Sequence, residues 1–213
     1  DFRLTVHDPA PGWMDDAVVY QVFPDRFARS TGHDGPPTGD LPDWALPASW
    51  SDEPLGTGPG VPHQLYGGDL PGLERRLDHL ERLGVDAVYL TPIFPARSNH
   101  RYDASTFDHV DPLLGGDEAL VSLSRAVHAR GMRLLGDFTT NHTGAGHEWF
   151  ARAQADRASE EADFYYWQDA EPGYVGWLGH ASLPKLNYRA PALAARMVDG
   201  PDSVIGRWLR EPV

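Results

Sequence analysis

The sequence contains no cysteine. That absence removes a disulfide scaffold, a thiolate metal site and a cysteine nucleophile together, without fixing a compartment. Lysine is nearly missing as well: Lys185 is the only one, and 18 basic residues stand against 31 acidic ones, a formal net charge of −13. An acidic chain with no Lys/Arg stripe is not expected to bind a phosphate backbone, so no nucleic-acid partner is expected. No apolar run approaches the roughly 18 residues that a membrane-spanning helix needs, so no membrane partner is expected. The start, Asp1-Phe2-Arg3, shows no charged-then-apolar leader, although the lack of an initiator Met leaves room for upstream sequence. Familiar chemical signatures are missing too. Gly56-Thr57-Gly58-Pro59-Gly60 follows no strand and carries a proline, which argues against a phosphate cradle. His142 and His147 stand five apart, the wrong spacing for two ligands on one helix, and neither HExxH nor Gly-x-Ser-x-Gly occurs.

What remains is ample for a core. The 213 residues are 41% hydrophobic and 11% aromatic, and 22 glycines with 19 prolines point to many ordered loops. Ala17 to Phe23 is a short, continuous apolar run closed by Pro24 and reads as a strand buried on both faces. Residues 32–62 hold 6 glycines and 7 prolines, a long irregular loop, with Trp13, Trp44 and Trp50 nearby favouring a packed one. A helix follows, with Asp69 as N-cap, Pro71 in the first turn, Leu73, Leu77, Leu80 and Leu83 as one stripe, and Gly84 as its left-handed cap. Val85 to Leu90 is a second strand. Asp117 opens a second helix with Leu120, Leu123 and Val127 on one face, ended by Gly131, and Met132 to Phe138 is a third strand. Strand, helix, strand, helix, strand predicts βαβ units and a parallel sheet, an α/β fold. From 139 to 190 the chain is rich in aromatics but weakly periodic, and reads as an insertion after strand three. Helix resumes near Pro191, breaks at Gly200-Pro201, and restarts through Trp208 and Leu209.

In parallel α/β folds, reactive groups gather at the carboxyl ends of the strands. Those ends are Pro24-Asp25-Arg26-Phe27; Thr91-Pro92 with the loop Asn99-His100-Arg101-Tyr102-Asp103; and Asp137-Phe138-Thr139-Thr140-Asn141-His142. Four segments, in order, resemble the alpha-amylase family of glycoside hydrolases: Tyr20 to Phe27, Tyr66-Gly67-Gly68-Asp69-Leu70, Asp137 to His142, and Leu183-Pro184-Lys185-Leu186-Asn187. The last is similar to the neopullulanase, cyclomaltodextrinase and maltogenic amylase branch, and the resemblance runs from about residue 17 to the C-terminus.

The resemblance implies the first part of a TIM (β/α)8 barrel: residues 1–138 with strands one to three, two helices and the long loop 28–66; a domain B insertion at 139–190; and a third helix at 191–213, the chain ending before strand four. It implies roles as well. Tyr102 matches a tyrosine that stacks on the sugar being cleaved, His142 a histidine that hydrogen-bonds that sugar, and Asp137 an aspartate that orients site residues and is not the nucleophile. A packed loop tyrosine, a satisfied loop histidine and a strand-end cap are the plain alternatives. Retaining hydrolysis needs two carboxyl groups about 5–5.5 Å apart, and none in this chain matches either. No catalytic residue is therefore assigned here, and the nucleophile and the acid/base are expected beyond Val213. The whole enzyme is expected to act on maltooligosaccharides or related α-glucans, with this chain alone inactive. A transglycosylase or sugar isomerase of the same family, or a non-catalytic sugar-binding relative, stays open. So does a homodimer of the full-length enzyme, and the branch leans toward the cytoplasm.

Two departures stand out. Thr139-Thr140 replaces an apolar pair, and the calcium loop common in the branch reads Arg29-Ser30-Thr31-Gly32-His33-Asp34 here, so most of its ligands are missing. Gly67 and Asp69 match the other half of that site. Calcium at Gly67 and Asp69 is therefore carried as an expectation, with Asp69 as a helix cap its alternative, and no cofactor is required.

Overall fold

The computed structural model describes residues 11–210. Two expectations fall outside the described residues. One is the start at Asp1-Phe2-Arg3. The other is the C-terminal boundary at Val213: the segment expected as helix over 191–213 is described only as far as Arg210, and nothing in the fold bears on carboxyl groups beyond Val213.

Three strands, β1 (Val19–Val22), β4 (Ala87–Leu90) and β5 (Arg133–Leu135), form one parallel sheet in that order. Val19 pairs with Ala87 and Val22 with Leu90, and Tyr89 of β4 pairs with Leu135. Between β1 and β4 the chain runs through α1 (Pro24–Phe27), the paired two-residue strands β2 (Leu46–Pro47) and β3 (Gln64–Leu65), α2 (Leu70–Glu74) and α3 (Leu77–Arg82). Between β4 and β5 lies α4 (Gly116–Ala129). The alternation read from the periodicity is thus the one observed.

Its details differ in three places. β1 is not covered on both faces: Val19, and Val18 just before the strand, are each 50% exposed, while Val22 is buried. The helix expected from Asp69 to Leu83 is two helices. At Arg75 and Arg76 the chain switches to tighter three-residue hydrogen bonds, Arg76 N to Leu73 O and His79 N to Arg76 O, both 2.9 Å. That re-phasing keeps Leu73, Leu77 and Leu80 fully buried but turns Leu83 out to solvent. β5 is shorter than the apolar run that encodes it, since its described pairing ends opposite Tyr89.

The caps follow the sequence. The Asp69 side chain accepts from Gly72 N at 2.6 Å. Gly84 closes α3 at φ +71°, and Val85 N reaches back to Leu80 O at 3.2 Å, the six-to-one bond of a Schellman end. α1 and α2 approach so closely that Gly68 and Gly72 touch the backbone of 24–29. A Cβ on Gly68 would overlap the Pro24 carbonyl oxygen, and one on Gly72 that of Ala28.

Behind the sheet, Val22, Leu70, Leu73, Leu77, Leu80, Val88, Leu90, Leu120, Leu123 and Val127 form an aliphatic core. A second, aromatic core contains Phe94, Phe107, Trp149, Phe150, Phe164 and Tyr165. It lies around α5 (Glu148–Ala155), α6 (Pro191–Met197) and α7 (Val204–Arg210). Residues 139–190 form no extended strand; isolated bridges such as His142–Lys185 and Tyr165–Leu186 hold them. Their core is shared with Phe94 and Phe107, which come from the β4–α4 loop. Trp208 of α7 packs against both cores. Among the described residues no helix is long and apolar enough to cross a membrane.

Candidate functional site

The carboxyl ends of β4 and β5 converge on Asp137. One of its oxygens, Oδ2, accepts the Tyr89 hydroxyl at 2.5 Å and the Tyr102 hydroxyl at 3.0 Å. Tyr89 arrives on β4, and Tyr102 on the loop that follows it. Burial, then the hydrogen bond and charge of Asp137, push both phenols above their ordinary pKa. Both therefore stay protonated donors over the whole neutral range.

Tyr102 is placed by a strained neighbour. Arg101 adopts φ +60°, a left-handed conformation that few non-glycine residues adopt. It is 1% exposed, and its guanidinium pairs with buried Asp111 at 2.8 Å and donates to Asn99 O at 2.9 Å. The buried pair holds the turn. His100 Nδ1 accepts from Tyr102 N at 3.1 Å, with the two rings 5.8 Å apart. Asn99 ties the turn to the long loop, donating to Val61 O at 2.8 Å and Gln64 O at 2.9 Å.

His142 faces the same turn. Its Nε2 lies 3.2 Å from Tyr102 O, an atom that only accepts, so this nitrogen carries the proton. Burial lowers the His142 pKa and the Tyr102 carbonyl only partly offsets it, so the ring is neutral at pH 7. Burial likewise lowers His100. The segment Leu183 to Asn187 pairs alongside His142, with Leu186 N on Asn141 O at 2.9 Å and Thr143 N on Pro184 O at 3.2 Å. Lys185 enters that pairing through its backbone.

Tyr102, His142, His100 and Asp103 line a cleft of about 880 Å³, together with Trp177 and Leu183. Trp177 stacks on His142, centroids 5.3 Å apart at 28°, and remains 40% exposed. The structure thus brings Tyr102, His142 and Asp137 together, Asp137 behind the wall and the other two in it. Sequence reasoning missed Tyr89 and Trp177. Tyr89 carried a faint signal, a polar-tipped residue inside an apolar strand. Trp177 carried none, since its partner lies 35 positions away.

Gly67 and Asp69 are elsewhere, beside α1. Asp69 Oδ1 accepts Ser30 N at 3.0 Å and Gly72 N at 2.6 Å, and Oδ2 accepts the Ser30 hydroxyl at 2.6 Å. Gly67 presents its N–H to Asp25 Oδ1 at 2.7 Å. A calcium ion takes six to eight oxygens. This carboxylate is already filled by N–H and O–H donors, as a helix cap is, and the residues present do not fit the ion.

The family of this chain is shown directly by comparison with known proteins. The alpha amylase catalytic-domain family matches residues 21–213, and the chain belongs to it. It is 35% identical to an intracellular maltogenic amylase of Bacillus subtilis, over 95% of this chain and 32% of that protein. It is 33% identical to an amylopullulanase of Thermoanaerobacter thermohydrosulfuricus, over 98% of this chain and 17% of that protein. Among solved structures, the cyclic alpha-maltosyl-(1→6)-maltose hydrolase of Arthrobacter globiformis in complex with maltose superposes with a TM-score of 0.79 at 34% identity, over 95% of this chain and 44% of that one. The chain spans less than half the length of each of these relatives.

Proposed function

We propose that this chain is the sugar-binding wall of an α-glucan-acting glycosidase: the first three strands of a (β/α)8 barrel with residues 139–190 inserted after the third. The full-length enzyme would cleave α-glucosidic bonds of maltooligosaccharides by a retaining mechanism using two carboxyl groups, both supplied from beyond Val213. The observation that carries this reading is the shared Asp137 oxygen, which locks the Tyr102 ring where His142 meets the cleft. Tyr102 offers a face for stacking on a sugar ring. His142, neutral with its acceptor-facing nitrogen protonated, offers imidazole polarity without a charge to desolvate. Asp137 positions Tyr102 and does not react, being engaged by two phenols. Asp103 is engaged too, by the Ser98 hydroxyl and Arg97 N. The names of the relatives support α-glucans as the substrate class.

The test is Tyr102→Ala beside Tyr102→Phe in the full-length enzyme, assayed on maltotriose. Tyr102→Ala is expected to lower kcat/KM by roughly 10- to 100-fold, equivalent to about 1.4–2.8 kcal/mol. Tyr102→Phe keeps the stacking face, loses the Asp137 bond, and falls between. Unchanged kcat/KM in Tyr102→Ala would sink the reading. The isolated 213-residue chain is expected to leave maltotriose intact, and hydrolysis by it would place reacting carboxylates within this segment.

A further inference from the structure

Arg29 stands where the family resemblance leads one to expect a calcium loop, and its surroundings are those of a cation seat. The guanidinium donates to four backbone carbonyls drawn from three separate stretches of the long loop. Nε reaches Tyr66 O at 2.5 Å, one terminal nitrogen reaches His33 O at 2.6 Å and also Gly35 O, and the other reaches Ala48 O at 3.2 Å. The Trp50 ring lies 5.3 Å from the guanidinium carbon. Four of the five N–H groups of the fork are thus used, each on a neutral oxygen.

Carbonyl oxygens converging from distant parts of a loop are what a hard cation gathers. Here they converge on a permanent positive charge that is covalently part of the chain. Asp69, the carboxylate that would complete a calcium cage, is spent on Ser30 and the first turn of α2, as described above. A second cation would meet the guanidinium charge, and the two carboxylates that line the same pocket, Asp25 and Asp69, are both already engaged by N–H and O–H donors. Arg75 adds its own bond to Ser30 O, drawing the same stretch down onto α2.

We infer that Arg29 takes the place of calcium in this protein: a resident cation that closes loop 28–66 onto the entrance of α2, making the fold independent of calcium. This inference rests on the loop geometry set against the calcium loop that the family resemblance leads one to expect, and does not depend on the glycosidase reading.

The experiment uses the full-length protein and reads no activity. Terbium serves as the probe, because an ion bound at this seat would lie next to Trp50 and be sensitised by it. The wild type is expected to show no terbium emission that Trp50→Phe removes. Its Tm is expected to agree within about 1 °C with excess EDTA and with millimolar calcium chloride. Arg29→Met leaves the carbonyls without their donor and is expected to lower the Tm by at least about 4 °C, with Arg29→Lys intermediate. Trp50-dependent terbium emission in the wild type would overturn the inference, and so would an unchanged Tm in Arg29→Met. Should Arg29→Met fail to fold, the wild-type terbium measurement and Arg29→Lys still decide.

Discussion

The two cores of this molecule are made of different materials. Behind the sheet, leucines and valines from α2, α3 and α4 pack on β1 and β4, and the backbone there is paired by regular helix and ladder bonds. Around α5 the interior is aromatic and the backbone is irregular. There the rings do a second job. Trp167 Nε1 donates to Ala162 O, the Tyr174 hydroxyl to Ala181 O and Trp208 Nε1 to Phe107 O, all at 2.7 Å. Aromatic residues with a polar tip fill volume and satisfy carbonyls that no ladder reaches. An irregular segment can be buried when its side chains carry the hydrogen bonds that secondary structure would otherwise provide.

The largest expected effects come from cutting each core once. Phe150 packs against Tyr165, Trp167 and Tyr174, and Phe150→Ala is expected to cost about 3–5 kcal/mol, with Leu77→Ala at about 2–5 kcal/mol, by denaturant unfolding. Hydrogen exchange sharpens the contrast. Phe150→Ala should strip protection from α5 and α6 while leaving β1 and β4 protected, and loss spread over the sheet would show one cooperative unit instead. A smaller effect tests the polar tips themselves. Tyr174→Phe keeps the ring but removes the donor to the Ala181 carbonyl, and is expected to cost about 0.5–1.5 kcal/mol. The volume-conserving Leu73→Met in the other core should stay below about 1.5 kcal/mol. If Tyr174→Phe is neutral, the tips carry no share of the stability.

The smallest effect is one of pH. His147 caps α5 by accepting Trp149 N at 3.1 Å and is fully buried, with its other ring nitrogen unpartnered. Burial, then the Arg152 charge, lower its pKa from the ordinary 6.5 to about 3. The unfolded chain therefore binds a proton below 6.5 that the folded chain refuses, so stability falls as pH falls through the window from 6.5 to about 3. Between pH 6.5 and pH 5.5 the loss is roughly 1 kcal/mol. His147→Asn keeps a capping acceptor and removes the titration, so the pH dependence of its unfolding midpoint over that interval should be shallower than that of the wild type. An equal slope would place the acid sensitivity elsewhere.

The same contrast explains what could be read from the sequence. The aliphatic half was legible because its signals are local: Asp69 caps, Gly84 and Gly131 end helices, and Leu73, Leu77 and Leu80 repeat at helical spacing. The break at Arg75 was not, since it turns on hydrogen bonds that periodicity does not see, and Leu83 left the stripe with it. In the site, Asp137, Tyr102 and His142 were found through strand ends and family motifs. Tyr89 and Trp177 were not, because each joins the site only through a partner brought in by tertiary folding. Arg29 was noted only as a missing ligand, and the four carbonyls that turn toward it have no sequence pattern.

The contact between α1 and α2 also sets how this protein can change over generations. Every missense mutation reachable from a glycine codon by one base brings a Cβ, and at Gly68 and Gly72 that carbon has only a neighbour's carbonyl oxygen to occupy. Those two positions are closed to neutral drift unless the α1 backbone moves first. In a randomised library of this gene they should be among the emptiest columns, whatever activity is selected.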